Sequence, residues 1–117
     1  MKTIVMTLFV LSIAACGSFG SVTSNTTITP NNSFKLGNNE HGKFNVKLKN
    51  IGTYDLNVYQ APIAGGQHSA TIVKPQQTIQ VAVDANTALI IDNNSNTTAS
   101  VLLKINGDTG LSMGYAK

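Results

Sequence analysis

Phe44-Asn45-Val46-Lys47-Leu48-Lys49-Asn50, followed by the break Ile51-Gly52-Thr53, carries the clearest strand signal in the chain. Apolar side chains stand at 44, 46 and 48, with polar ones between them. A period of two puts the apolar groups on one face of an extended chain and leaves the other face wet. The alternation resumes at Leu56 and Val58 before Pro62. It returns at Ile79, Val81 and Val83, after a turn over Lys74-Pro75-Gln76-Gln77 with Pro at its second position. Ala88-Leu89-Ile90-Ile91 is a continuous apolar run and reads as a central strand. Asn93 to Asn96 is a turn cluster, and Val101, Leu103 and Ile105 alternate after it. Asn106-Gly107 is then expected to start a hairpin towards Leu111, Met113 and Tyr115. No stretch beyond residue 20 has apolar residues at helical spacing. Strands about every ten residues, separated by turn residues, predict an all-β antiparallel β-sandwich.

Composition sets the outer limits of this reading. A chain of 117 residues suits one domain. Only 11% of it is charged, which excludes an acidic or basic disordered tail. The net charge is +3, but all the cations are lysines spread along the chain, with no arginine to read base edges or stack on bases. Nucleic acid is therefore not an expected partner. A single cysteine leaves no disulfide to form within the chain.

That cysteine ends a distinctive leader. Lys2 gives a short positive start, and Ile4 to Ala15 are apolar apart from Thr7 and Ser12. Twelve helical residues rise about 18 Å against about 30 Å of bilayer core, too short to span. The segment reads as the apolar region of a secretory signal peptide, a short helix removed on export. It closes on Ile13-Ala14-Ala15-Cys16.

These four residues resemble the lipobox of bacterial lipoproteins. The resemblance implies lipid transfer to the Cys16 thiol and cleavage between Ala15 and Cys16, leaving the chain held to a membrane through its lipid. Gly17 follows the cysteine where inner-membrane retention favours Asp, and Gly17-Ser18-Phe19-Gly20-Ser21 lacks an acidic export cluster. An outer-membrane anchor with the domain facing the periplasm is the location implied.

The expected organisation is a signal peptide over 1–15, a lipidated cysteine and flexible tether over 16–33, and a sandwich over 34–117. Gly, Ser, Thr and Asn dominate the tether, although Thr26-Thr27-Ile28-Thr29 has enough β-branched residues for an edge strand that Pro30 would end. The run from Phe44 to Val83 is similar to immunoglobulin-like modules of bacterial envelope proteins, with an alternating strand, an Asn-x-Gly turn and a later Pro turn. Gln76 stands where such modules often have Gly. The resemblance implies an immunoglobulin-like sandwich. An internal echo also links Val46, Leu48, Asn50, Gly52, Leu56 and Val58 with Leu89, Ile91, Asn93, Ser95, Ala99 and Val101. Shared turn chemistry is enough to account for it.

Chemistry-bearing residues are sparse. His41 and His68 stand alone in polar segments without metal-ligand spacing, and are expected on surface loops. The acids Glu40, Asp55, Asp84, Asp92 and Asp108 form no local pair for acid–base work. Asn106-Gly107-Asp108-Thr109-Gly110 lacks the further carboxylates of a calcium loop. No Gly-x-Ser-x-Gly or phosphate loop occurs, so no catalytic residue, metal or cofactor is expected. Tyr54, Tyr59 and Tyr115 remain as a candidate binding patch, with Tyr54 and Tyr59 flanking one end of the sandwich. The expected function is a non-catalytic envelope lipoprotein that binds another envelope component. The alternatives are an accessory subunit of a secretion or appendage assembly and, from another class, a small hydrolase.

Overall fold

The computed structural model describes residues 19–116. Among them, nine strands form in chain order: β1 (Phe19–Ile28), β2 (Asn32–Leu36), β3 (Phe44–Asn50), β4 (Leu56–Pro62) and β5 (His68–Val73), then β6 (Thr78–Val83), β7 (Thr87–Asn93), β8 (Ala99–Asp108) and β9 (Met113–Tyr115). They build an antiparallel sandwich with a five-stranded sheet, β9-β2-β7-β4-β5, facing a four-stranded one, β1-β8-β3-β6. The all-β antiparallel sandwich expected from the alternation is thus what forms.

Phe44, Val46 and Leu48 point inward from β3 and meet Val101, Leu103 and Ile105 of β8 in the same layer. Phe34, Leu36, Leu56, Val58, Leu89 and Ile91 close the core from the other sheet. Burying a side chain of this size contributes about 1.5–3 kcal/mol, so this inner layer dominates the favourable side of folding. The apolar run 88–91 lies in β7, the middle strand of the five. Even its outward Ile90 is only 4% exposed, between Lys35 and Tyr59 on the neighbouring strands.

The strand order is that of a jelly roll rather than an immunoglobulin-like module. Only β4 and β5 are consecutive strands joined within one sheet; every other connection among the nine crosses to the facing sheet. Turn residues mark where a strand stops. They do not say whether the next strand pairs beside it or crosses the ~10 Å to the opposite layer.

Two further expectations are corrected. Residues 19–33 are not a tether, because β1 pairs with β8 along ten residues, from Phe19 opposite Asp108 to Ile28 opposite Ala99. Thr26 and Ile28 are buried. Backbone pairing is indifferent to the Ser/Thr/Asn composition that suggested a linker, and the sandwich begins by residue 19 instead of 34. Asn106-Gly107 starts no hairpin either: both lie inside β8, and β9 pairs with β2 in the other sheet. Gly107 has φ +108°, and a Cβ there would sit 2.9 Å from the Lys43 carbonyl oxygen. It permits the close approach of β3 and β8 rather than a turn.

Candidate functional site

At one end of the sandwich β3 and β7 finish on Asn50 and Asn93, both 0% exposed. The Asn50 amide donates to the carbonyls of Tyr54 (2.7 Å) and Val73 (3.0 Å), and its Oδ1 accepts from the Gly52 amide (3.0 Å). Asn93 Nδ2 reaches the carbonyls of Thr97 (2.8 Å), Ile28 (3.0 Å) and Thr29 (3.1 Å). Its Oδ1 accepts from the Ser95 amide (3.1 Å) and hydroxyl (2.6 Å). Only a side chain with both a donor and an acceptor can fill these places, because carbonyls and an amide converge on the same buried spot.

Together these asparagines hold two turns that frame one open cleft. Thr53, Tyr54 and Asp55 line one side, Asn94, Ser95 and Asn96 the other, around about 530 Å³. The lining supplies hydroxyls, amides, one carboxylate and one aromatic wall, groups able to hydrogen-bond to a polar molecule and to stack on it.

The candidate tyrosine patch does not assemble. Tyr54 lies at this cleft, 53% exposed. Tyr59 stands in mid-strand on the outer face of β4, where burial and then the nearby Asp92 carboxylate raise its hydroxyl above the usual pKa. Asp92 itself accepts a hydrogen bond from the Ser33 hydroxyl. Tyr115 lies on β9, its hydroxyl donating to the Thr27 carbonyl (2.7 Å) and its ring set edge-on to Phe34 with centroids 5.6 Å apart. It ties an edge of one sheet to an edge of the other. Strand alternation sends Tyr59 outward, so its short sequence distance from Tyr54 does not bring the two together.

The opposite end is fastened by His41, which is 9% exposed and not the surface-loop residue expected. Its ring nitrogens face the carbonyl oxygens of Thr87 (2.8 Å) and Gly42 (2.5 Å), and its ring packs edge-on against Phe44. The His41 amide donates to Asn86 Oδ1 (2.9 Å), and the Asn86 amide returns a bond to the His41 carbonyl (3.1 Å). Asp108 accepts from the amides of Gly42 (2.6 Å) and Gly110 (2.9 Å), which hold its carboxyl below the usual range. These partners make His41 and Asp108 loop fasteners. His68, exposed at the start of β5 opposite Gln60, turns its ring to the Ser69 hydroxyl (2.8 Å). Among the described residues no three His, Cys, Asp or Glu side chains gather to hold a metal.

Ala15 and Cys16 lie outside the described residues. The burial of Asn50 and Asn93 escaped the reading of the sequence, although the echo between residues 46–58 and 89–101 marks both positions. No protein-family model matches the chain, and a search of curated proteins finds no match.

Proposed function

We propose that the chain is a bacterial envelope lipoprotein, anchored by lipid on Cys16, whose non-catalytic sandwich binds another envelope component. The observation that carries this reading is Ile13-Ala14-Ala15-Cys16 at the end of a short apolar leader. An outer-membrane location facing the periplasm fits Gly17 after the cysteine. The fold adds a consistent geometry. β1 starts at Phe19, three residues after Cys16, and runs away from that end until Ile28 reaches Asn93. Ten extended residues cover about 30 Å, so the Tyr54 cleft lies at the end remote from the anchor and is left open by it.

Incorporation of labelled palmitate tests the anchor. The wild-type chain takes up label and is shortened by its leader, and Cys16→Ser does neither. Label retained in Cys16→Ser would sink the reading. A second reading, an accessory subunit of an envelope assembly, is favoured by β5. Among the described residues no strand pairs with its outer side, and five of its six residues are exposed. A strand from a partner can add there. Recovery of one dominant membrane complex after mild crosslinking would select it.

A further inference from the structure

The outer face of the four-stranded sheet gathers lysines that are scattered in the sequence. Lys47 and Lys104 stand directly opposite each other on β3 and β8. Lys49 is two residues along from Lys47 on the same face, about 7 Å away. Lys43, exposed just ahead of β3, continues the row but stands between Asp84 and Asp108 in the register of the neighbouring strands. Across the strand pairs, Lys47 is flanked by Lys104 and Gln80, and Lys104 by Lys47 and Thr23, so no carboxylate sits beside either one. Outward positions from 21 to 106 on these strands carry no acid; the rest are Ser, Thr, Asn, Gln, Ala and Leu102. Asp108 lies beyond Gly107 with its oxygens already engaged by the Gly42 and Gly110 amides.

Like charges directly opposite on paired strands destabilise a sheet. Here that arrangement is kept with no acid at the outward strand positions around Lys47, Lys49 and Lys104; the acids of this face, Asp84 and Asp108, stand at its end, beside Lys43. An anionic surface laid against the face would supply the missing charge. The side chains suit a broad contact more than a single phosphate. Lysine is a compact, hydrated point charge without the bidentate fork of arginine, and the outward positions from 21 to 106 on these strands carry no aromatic ring for bases to stack on.

We infer that this lysine face docks on an anionic lipid bilayer. The choice of a bilayer over a soluble polyanion rests on the reading of Cys16 as lipidated. Three residues of chain reach at most about 11 Å, so the lipid holds the Phe19 end of β1 close to the headgroups. β1 is the edge of the same sheet, paired to β8 and one strand from Lys104. Lys104 lies opposite Thr23, four residues or about 13 Å along β1 from Phe19, so laying the sheet on the surface brings the lysines within the Debye length of about 8 Å over which they feel anionic headgroups. Leu102, beside Lys49 and 38% exposed, is the large apolar side chain among the outward positions from 21 to 106. The sandwich then lies on its four-stranded sheet, with the cleft opening sideways.

The test uses the unlipidated full chain, Cys16→Ser, with vesicles of equal parts phosphatidylglycerol and phosphatidylcholine, and vesicles of phosphatidylcholine alone. The leader is present in every sample and cancels from the comparison. Binding is stronger to the anionic vesicles and weakens with salt. Adding Lys47→Gln, Lys49→Gln and Lys104→Gln lowers it about fivefold per lysine, on the order of a hundredfold in all. Urea unfolding of this variant shows a fold no less stable, since the Lys47–Lys104 opposition is gone. Lys47→Glu, which faces opposite charges across β3 and β8, keeps the fold and reduces binding more than Lys47→Gln. Unchanged binding of the triple variant overturns the inference. So does lysine-dependent binding to dextran sulfate with none to the anionic vesicles. Because the chain in this assay carries no lipid, its result stands apart from that of palmitate labelling.

Discussion

Asn50 and Asn93 occupy equivalent places in two halves of one fold. Each ends a strand, donates to the carbonyl four residues on and accepts from the amide two residues on. Each also donates to the carbonyl that closes a third strand, Val73 of β5 for one and Ile28 of β1 for the other. The equivalence extends to the sheets. Exchanging β1–β4 with β5–β8 turns the pairs β1·β8, β8·β3 and β3·β6 into β5·β4, β4·β7 and β7·β2, all of which occur. After β1 and β5 the chain turns through Pro30-Asn31 and Pro75-Gln76, with φ +55° at Asn31 and +69° at Gln76. The fold therefore has an internal two-fold relation, and the Tyr54 cleft lies where its two equivalent turns meet.

The asparagine knots predict a large cost on truncation. Asn93→Ala leaves buried carbonyls and the Ser95 amide without their partner, and lowers stability by about 2–4 kcal/mol. Asn50→Ala does the same, while Asn94→Ala, at an exposed position, changes it by less than about 0.5 kcal/mol. Urea unfolding midpoints measure all three.

Strand β1 predicts that a residue in an apparent linker is part of the core. Ile28→Ala, at 0% exposure, costs about 2–4 kcal/mol, and the exposed Thr27→Ala costs little. Equal, negligible losses in chemical denaturation would return this segment to the role of a tether.

Two glycines separate backbone strain from steric clash. Gly65→Ala meets nothing within 4 Å and carries only the penalty of its positive φ, about 1 kcal/mol. Gly107→Ala carries that penalty and also drives its Cβ against Lys43 and Phe44, at 2.9 and 3.1 Å. Its melting temperature falls further than that of Gly65→Ala, or the chain fails to fold.

Asp108 predicts an acid limb in the stability profile. Hydrogen bonds from the Gly42 and Gly110 amides lower its pKa in the folded state, so folding favours the ionised form. The contribution is fully present above the unfolded carboxyl pKa and is lost as pH falls through the lower folded one. Asp108→Asn flattens that part of the curve. Urea midpoints taken across acidic pH show a shallower decline in the variant than in the wild type.

Local alternation marks most of the strands and the apolar side chains they bury. The alternation at 44–48, 79–83 and 101–105, the apolar run at 88–91 and the turns after Asn50 and over 74–77 were all legible, because the direction of a side chain along a strand is set by local geometry. Tertiary structure decided the rest. It chose jelly-roll order over immunoglobulin order, drew β1 out of an apparent linker, and parted Tyr54, Tyr59 and Tyr115. It also set Lys47 against Lys104, fifty-seven positions away. The physical reason is the same each time. The period of two sends a side chain up or down, but the neighbour it meets is chosen by which strands pair and which connections cross the core, and that follows from packing the whole chain at once.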